Sequence, residues 1–195
     1  MRRLRWRPLA ELTREDETAL DAMRASLLRR GRPELGPEQG DQAYDRHLLL
    51  ATDVLRAARL YRGGGDGETW CKYVTAFFPD GRNGAEDAKT LWLYWRTSLL
   101  KSGQPIVPIT HGQSWLHWQR EGGRPVLNLE DAWDDYAYSV DRFIEHLRQH
   151  PDDRANTLRR WHKRAWTVRD LKLDSAIHFT TLHPGAASAS VIAPP

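Results

Sequence analysis

Two histidines and three carboxylates in the second half of the chain have the residue types for proton transfer or metal binding. His111 and His117 flank Gly112-Gln113-Ser114 in a loop and hairpin stretch, and Glu130, Asp131 and Asp135 open the segment that follows. If the hairpin folds back on that segment, imidazoles and carboxylates share one cleft. General acid–base catalysis and divalent-cation binding both need that arrangement. Asp131 and Asp135, four apart, fall on one face of a helix. The His-x5-His spacing is not the helical His-Glu-x-x-His pair. Cys71 is the only cysteine, which excludes a Cys-based zinc site. The competing reading is structural: acidic residues in a first helical turn complement its dipole, and loop histidines bond the backbone. The set supports an alternative function as a small metal-assisted hydrolase or nuclease, with metal and cofactor unknown.

A second constellation suits binding. From Glu121 to Asp153 there are nine acidic residues and three arginines, net −6, and from Arg154 to Lys172 seven basic residues and one aspartate, net +6. Consecutive helices of opposite charge can pair as a hairpin and neutralise each other. On a helix over 152–169, Leu158, Trp161, Ala165 and Val168 form an apolar stripe. Arg159, Lys163, Trp166 and Arg169 fall on a different face. An indole among three cations makes a strip for stacking bases and contacting phosphates. The basic arm Arg2–Arg7, with Trp6, and Trp118 of the hairpin would add to it. The leading expectation is an accessory protein that binds a macromolecular partner through this strip, nucleic acid ahead of protein. A third reading makes exposed tryptophans the interface anchors of a homo-oligomer or larger assembly. Of the 29 basic residues 24 are arginine, as a GC-rich coding bias would produce, so arginine content alone does not argue for nucleic acid.

Three further patterns read as structural. Pro79-Asp80 followed by Asp87-Ala88-Lys89 resembles the Pro-Asp…Asp-x-Lys motif of restriction nucleases, but there the Asp-x-Lys sits on a strand and here it opens an amphipathic helix. Gly63-Gly64-Gly65-Asp66-Gly67 invites a phosphate-loop reading, yet Glu68-Thr69-Trp70 follows where Gly-Lys-Ser/Thr is required, so it reads as a plain connection. Cys71 reads as a buried inert thiol.

The elements that must position these residues follow from periodicity and caps. Thr13-Arg14-Glu15-Asp16 resembles a capping box and starts a helix over 14–30, and a second covers 41–62 with a wide apolar face. Cys71–Phe78 reads as a strand, and 85–101 as a third helix. Residues 105–110 are kept extended by two prolines. Ser114–Arg120 and Pro125–Leu129 then flank Glu121-Gly122-Gly123-Arg124 as a hairpin. A fourth helix starts at Asn128 or Glu130 and stops at Pro151, which opens a fifth running to about 170. Ala176–Leu182 reads as a last short strand. The fold class is α+β, with about five helices packed on a small mixed or antiparallel sheet containing one hairpin at 114–129. Residues 1–183 form one globular domain and 184–195 a disordered tail. No apolar run approaches the roughly 18 residues of a membrane span, and the N-terminus is not a secretory signal. A soluble, cytoplasmic protein without membrane contact is expected.

The chain carries nine tryptophans. Trp92, Trp95, Trp133 and Trp161 fall on apolar stripes, and Trp70 reads as core. Trp115 and Trp118, three apart on a strand, point to opposite faces, so at most one joins the core unless both sheet faces are covered. Trp166, Trp6 and one hairpin tryptophan are left for binding.

Overall fold

Residues 11–34, 36, 40–102 and 106–163 are described by the computed structural model. Helix α1 (Arg14–Leu27) starts at a complete capping box. The Thr13 hydroxyl accepts the Asp16 N–H at 3.0 Å, and the Asp16 carboxylate accepts the Thr13 N–H at 3.2 Å. Leu20, Met23 and Leu27 form its buried stripe. Helix α2 (Gly40–Arg62) is buried on two adjacent stripes from Ala43 to Tyr61, as expected for a central helix.

The expected strand at Cys71–Phe78 is instead the body of helix α3 (Gly67–Phe77). Asp66 caps it by accepting the Thr69 N–H at 2.9 Å. Trp70, Tyr73, Val74 and Phe77 recur at i, i+3, i+4 and i+7, and all are buried. That periodicity overrides the β-leaning composition of Val74, Thr75 and the aromatics. Cys71 lies on the half-buried side of α3, where burial pushes its thiol up.

The third expected helix is continuous but not uniform: α4 (Ala85–Thr90) runs into a π-helical turn (Leu91–Thr97) and then α5 (Ser98–Ser102). The Tyr94 carbonyl is the cause. It accepts the N–H groups of Ile106 and Val107 at 3.0 and 3.2 Å, together with the Ser98 hydroxyl. The Ser98 N–H turns to the Trp95 carbonyl instead. Donors inserted from outside displace the ordinary i→i−4 ladder, and a wider turn results.

The strand layer is smaller than the sequence suggested. Strand β1 (Ile109–Thr110) pairs in parallel with β4 (Leu127–Asn128), with Ile109 opposite Leu127 and Thr110 opposite Asn128. Strands β2 (Arg120–Glu121) and β3 (Arg124–Pro125) form a hairpin around Gly122 and Gly123, whose positive φ values of 56° and 79° suit a primed turn. Residues 114–120 are not one strand, because Ser114–Leu116 form a 3-10 turn. Alternation therefore does not govern Trp115 and Trp118. Trp118 takes a positive φ of 65°, held by its N–H to Val126 O at 2.8 Å and its indole N–H to Gly81 O at 3.2 Å.

Helix α6 (Leu129–Gln149) is capped by Asn128, and helix α7 (Pro151–His162) begins with Pro151 in its first turn. The stripe Leu129, Ala132, Tyr136, Val140, Phe143 and Leu147 is buried, and α6 packs against α1, α2, α3 and α7. Phe143 meets Tyr61, Tyr73 and Phe77 at centroid distances of 5.2–5.8 Å. The architecture is α+β, mostly helical with two short strand pairs. No described helix is long and apolar enough to cross a membrane. The expected continuation of the fifth helix to 170, the strand at 176–182, the tail at 184–195 and the domain limit at 183 lie outside the described residues.

Truncating Phe143 to alanine opens a cavity where three helices meet, and should cost about 3–5 kcal/mol of stability. The exposed Leu93→Ala control should stay within about 0.5 kcal/mol. Urea unfolding of both variants measures the contrast. Equal losses would show that α6 is not the centre of the core.

Candidate functional site

The hairpin folds back on the start of α6, as the acid–base reading required. The His117 side chain is 3% exposed, and its Nε2 lies 3.1 Å from Asp135 Oδ2. Its Nδ1 accepts the Asn128 N–H at 3.1 Å. With Nδ1 accepting, the proton sits on Nε2, which donates to Asp135. The other Asp135 oxygen pairs with Arg82, from the turn after α3. Arg82, Asp135, His117 and the Asn128 backbone form one closed chain, and His117 keeps no nitrogen for a substrate or metal.

The remaining carboxylates have separate places. Buried Glu130 accepts the Gly112 N–H at 3.1 Å and ties the turn after β1 to α6. The Asp131 N–H donates to the Asn128 side chain at 3.3 Å, and its Oδ2 is buried without a hydrogen-bond partner. His111 is half-buried next to this turn. Among the described residues, no group of three or more His, Cys, Asp or Glu side chains is placed to hold a metal ion.

His47, on the buried face of α2, belongs to the same seam and was not singled out by any motif in the sequence. It is fully buried, with Nε2 3.4 Å from Thr110 O and its ring edge-on to Trp95 at 6.1 Å. Its Nδ1, Thr110 Oγ1 and Asn128 Nδ2 are all buried without partners. Burial depresses its pKa to about 4, with the nearby His117 and His111 adding to the effect against the Thr110 hydrogen bond. The seam is a row of polar groups closed off from water.

Of the expected binding strip, Arg159 and Lys163 lie exposed at the end of α7, with Arg159 3.4 Å from Asn156 Oδ1. Trp166, Arg169 and Trp6 lie outside the described residues. Trp118 is half-buried, with the Arg82 guanidinium 5.9 Å from its ring. Trp70 and Trp95 are core, as expected, while Trp92, Trp133 and Trp161 are only half-buried.

A different aromatic surface is more prominent. In the π-helical turn, Leu91 and Trp95 point into the core, leaving Trp92, Leu93 and Tyr94 on the outer arc. The Arg96 guanidinium stacks over Trp92 at 4.4 Å, and that of Arg124 over Tyr94 at 4.9 Å. Arg124 also donates to Ile106 O at 3.3 Å, which joins the hairpin to the turn. Leu93 and Ile106 are exposed, and Trp115 is 68% exposed. The signal available in sequence was Arg96 four residues after Trp92. The apolar stripe through Trp92 and Trp95 masked it.

Unfolded histidine titrates near 6.5 and buried His47 near 4, so acid favours the unfolded chain, which binds the proton first. This contribution is complete above about pH 6.5 and is lost as pH falls towards 4, by an order of magnitude of about 3 kcal/mol. His47→Gln, which cannot ionise, should show a smaller drop in melting temperature between pH 7.5 and pH 5 than the parent. Equal drops would remove His47 as the source. Compared with known proteins, the chain matches no family model, no curated protein and no solved structure.

Proposed function

We propose that this chain is a non-catalytic accessory protein that binds single-stranded nucleic acid through the arginine–aromatic face of the π-helical turn. The observation that carries this reading is the pairing of exposed Tyr94 with exposed Arg124, next to half-buried Trp92 under half-buried Arg96, on the outer arc of the turn. Aromatic rings accept bases by stacking without regard to sequence, and guanidinium groups meet the phosphates between them. Exposed Trp115 on the hairpin offers a further stacking surface. Arg159 and Lys163 on α7 add positive charge. A hydrolase centred on His117 is less well supported, because Asp135 and Asn128 occupy both of its ring nitrogens. The exposed Leu93 and Ile106 favour a protein partner as the second reading.

Fluorescence anisotropy with a labelled oligothymidylate tests the reading. Binding should weaken steeply with salt, with a log–log slope of about −0.7 per phosphate contacted. Tyr94→Ala combined with Arg124→Ala should weaken it by at least roughly tenfold, given about 1–3 kcal/mol per stacked base. Absence of binding at low salt, or full affinity in the double variant, would exclude nucleic acid as the partner of this face.

A further inference from the structure

Tyr94 and Arg124 belong to different elements and are joined through one residue. Tyr94 lies in the π-helical turn and Arg124 on β3 of the hairpin. The backbone of Tyr94 is fixed, because its carbonyl accepts the Ile106 N–H at 3.0 Å and the Val107 N–H at 3.2 Å. Arg124 donates to the Ile106 carbonyl at 3.3 Å and lays its guanidinium over the Tyr94 ring, 4.9 Å from the centroid. Ile106 therefore links ring and guanidinium through its own backbone, and all three residues are exposed.

The neighbouring groups are already engaged. Arg120, the other arginine of the hairpin, pairs with Asp87 at 2.7 Å and donates to Gly123 O at 3.2 Å. Arg124 pairs with no carboxylate among the described residues, so its charge is not neutralised in place. Trp92 is half-buried and its ring is in use. A Cβ on Gly67 would stand 2.6–3.0 Å from its Nε1, Cδ1 and Cε2, which puts the start of α3 over the face of its five-membered ring. The Arg96 guanidinium lies over Trp92 at 4.4 Å, and the Trp70 ring packs at 5.7 Å. The Tyr94 ring meets only the Arg124 guanidinium in this way among the described residues. Such a contact in water is weak beside the stacking of a base on the same ring. The long arginine side chain can therefore lift, and a planar base entering beneath it stacks on the tyrosine and on the guanidinium plane together.

We propose that Tyr94 and Arg124 form a slot for a single unpaired base, with the arginine as its movable wall. The slot rests on the nucleic-acid reading of this face and says where on it a base is held. A base in a duplex is kept out by its own pairing and stacking. A lysine cannot replace the wall, since an ammonium carries the charge without the plane.

The test uses oligothymidylate carrying one 2-aminopurine, whose fluorescence is quenched by stacking and whose anisotropy reports affinity. The full chain should bind it with quenching, and should bind the matched duplex at least roughly tenfold more weakly. Arg124→Lys should keep the salt slope, because the charge stays, while affinity falls about three- to tenfold and part of the quenching is lost. Tyr94→Leu should lose most of the quenching. Arg120→Lys, whose charge stays with Asp87, should behave as the parent. Parental affinity in Arg124→Lys, or undiminished quenching in either Arg124→Lys or Tyr94→Leu, would overturn the slot while binding to the face still stood. Duplex bound as tightly as single strand would overturn it too. A parent that binds no oligonucleotide at low salt removes the nucleic-acid reading, and the slot with it.

Discussion

Burial of the α6 stripe between α1, α2, α3 and α7 is the contact on which the rest of the described structure depends. Leu129 to Leu147 place one apolar residue or more on the core side at every turn, so α6 can move only if four other helices move with it. Its N-terminal cap, Asn128, is also a residue of β4. The strand pair β1–β4 is thereby fixed to the helix by covalent continuity, and β1 follows through its register with β4. His117, Glu130 and Asp135 then serve this junction: each bonds a backbone group or a residue that holds the hairpin and the 79–84 turn against α6. Residue types suited to acid–base chemistry are here used to satisfy buried polar groups, which would otherwise cost about 1–3 kcal/mol each.

The π-helical turn is the second consequence of a backbone demand. Residues 106 and 107 need acceptors as the chain heads into β1, and the Tyr94 carbonyl provides them. The turn widens, and its outer arc carries three large side chains where a regular α-helix would spread them differently. Half-buried Trp92 and exposed Tyr94 then gain arginines as lids, Arg96 from the turn itself and Arg124 from the hairpin. An irregularity forced by hydrogen bonding thus builds the most distinctive surface among the described residues, consistent with the frequent occurrence of π-bulges at functional sites.

The helix starts were legible because caps are local chemistry. Thr13 with Asp16, Asn128 before α6 and Pro151 opening α7 each mark a boundary that needs no tertiary information. The α3 helix was not, since β-branched and aromatic residues over a short apolar run fit both periods, and burial on packing decided between them. The π-turn could not be read at all: it depends on two hydrogen bonds to Tyr94 from residues twelve and thirteen positions further along. The hairpin turn at Gly122-Gly123 was visible in its glycines, but strand length was not; the alternation assumed for Trp115 and Trp118 fails with it, although Trp115 is the exposed one of the pair. Of the expected acid–base set, His117 meets Asp135, and Glu130 holds the Gly112 N–H beside His111. Their partners were out of reach, because Arg82 and the Asn128 N–H come from geometry alone.

The charge couple around residue 153 shows how partner choice decides what a surface can do. If α6 and α7 simply neutralised each other, the basic end of α7 would have no field to offer. The acids of α6 are instead taken by other arginines: Asp141 by Arg24 at 2.6 Å, Asp134 by Arg32 at 3.0 Å, and Asp135 by Arg82. At the head of α7, Arg154 is buried on the Leu147 and Arg148 carbonyls and lies 3.4 Å from Asp16. Arg160 bonds the Leu60 and Tyr61 carbonyls at the end of α2 rather than an acid of α6. Arg62 stands beside it, 3.8 Å from Asp153. The positive charge of α7 is therefore not cancelled by its neighbour. Arg160 borders the glycine loop at Gly63, where burial first, and repulsion from Arg62 and Arg159 after it, lowers its pKa against the pull of Asp153.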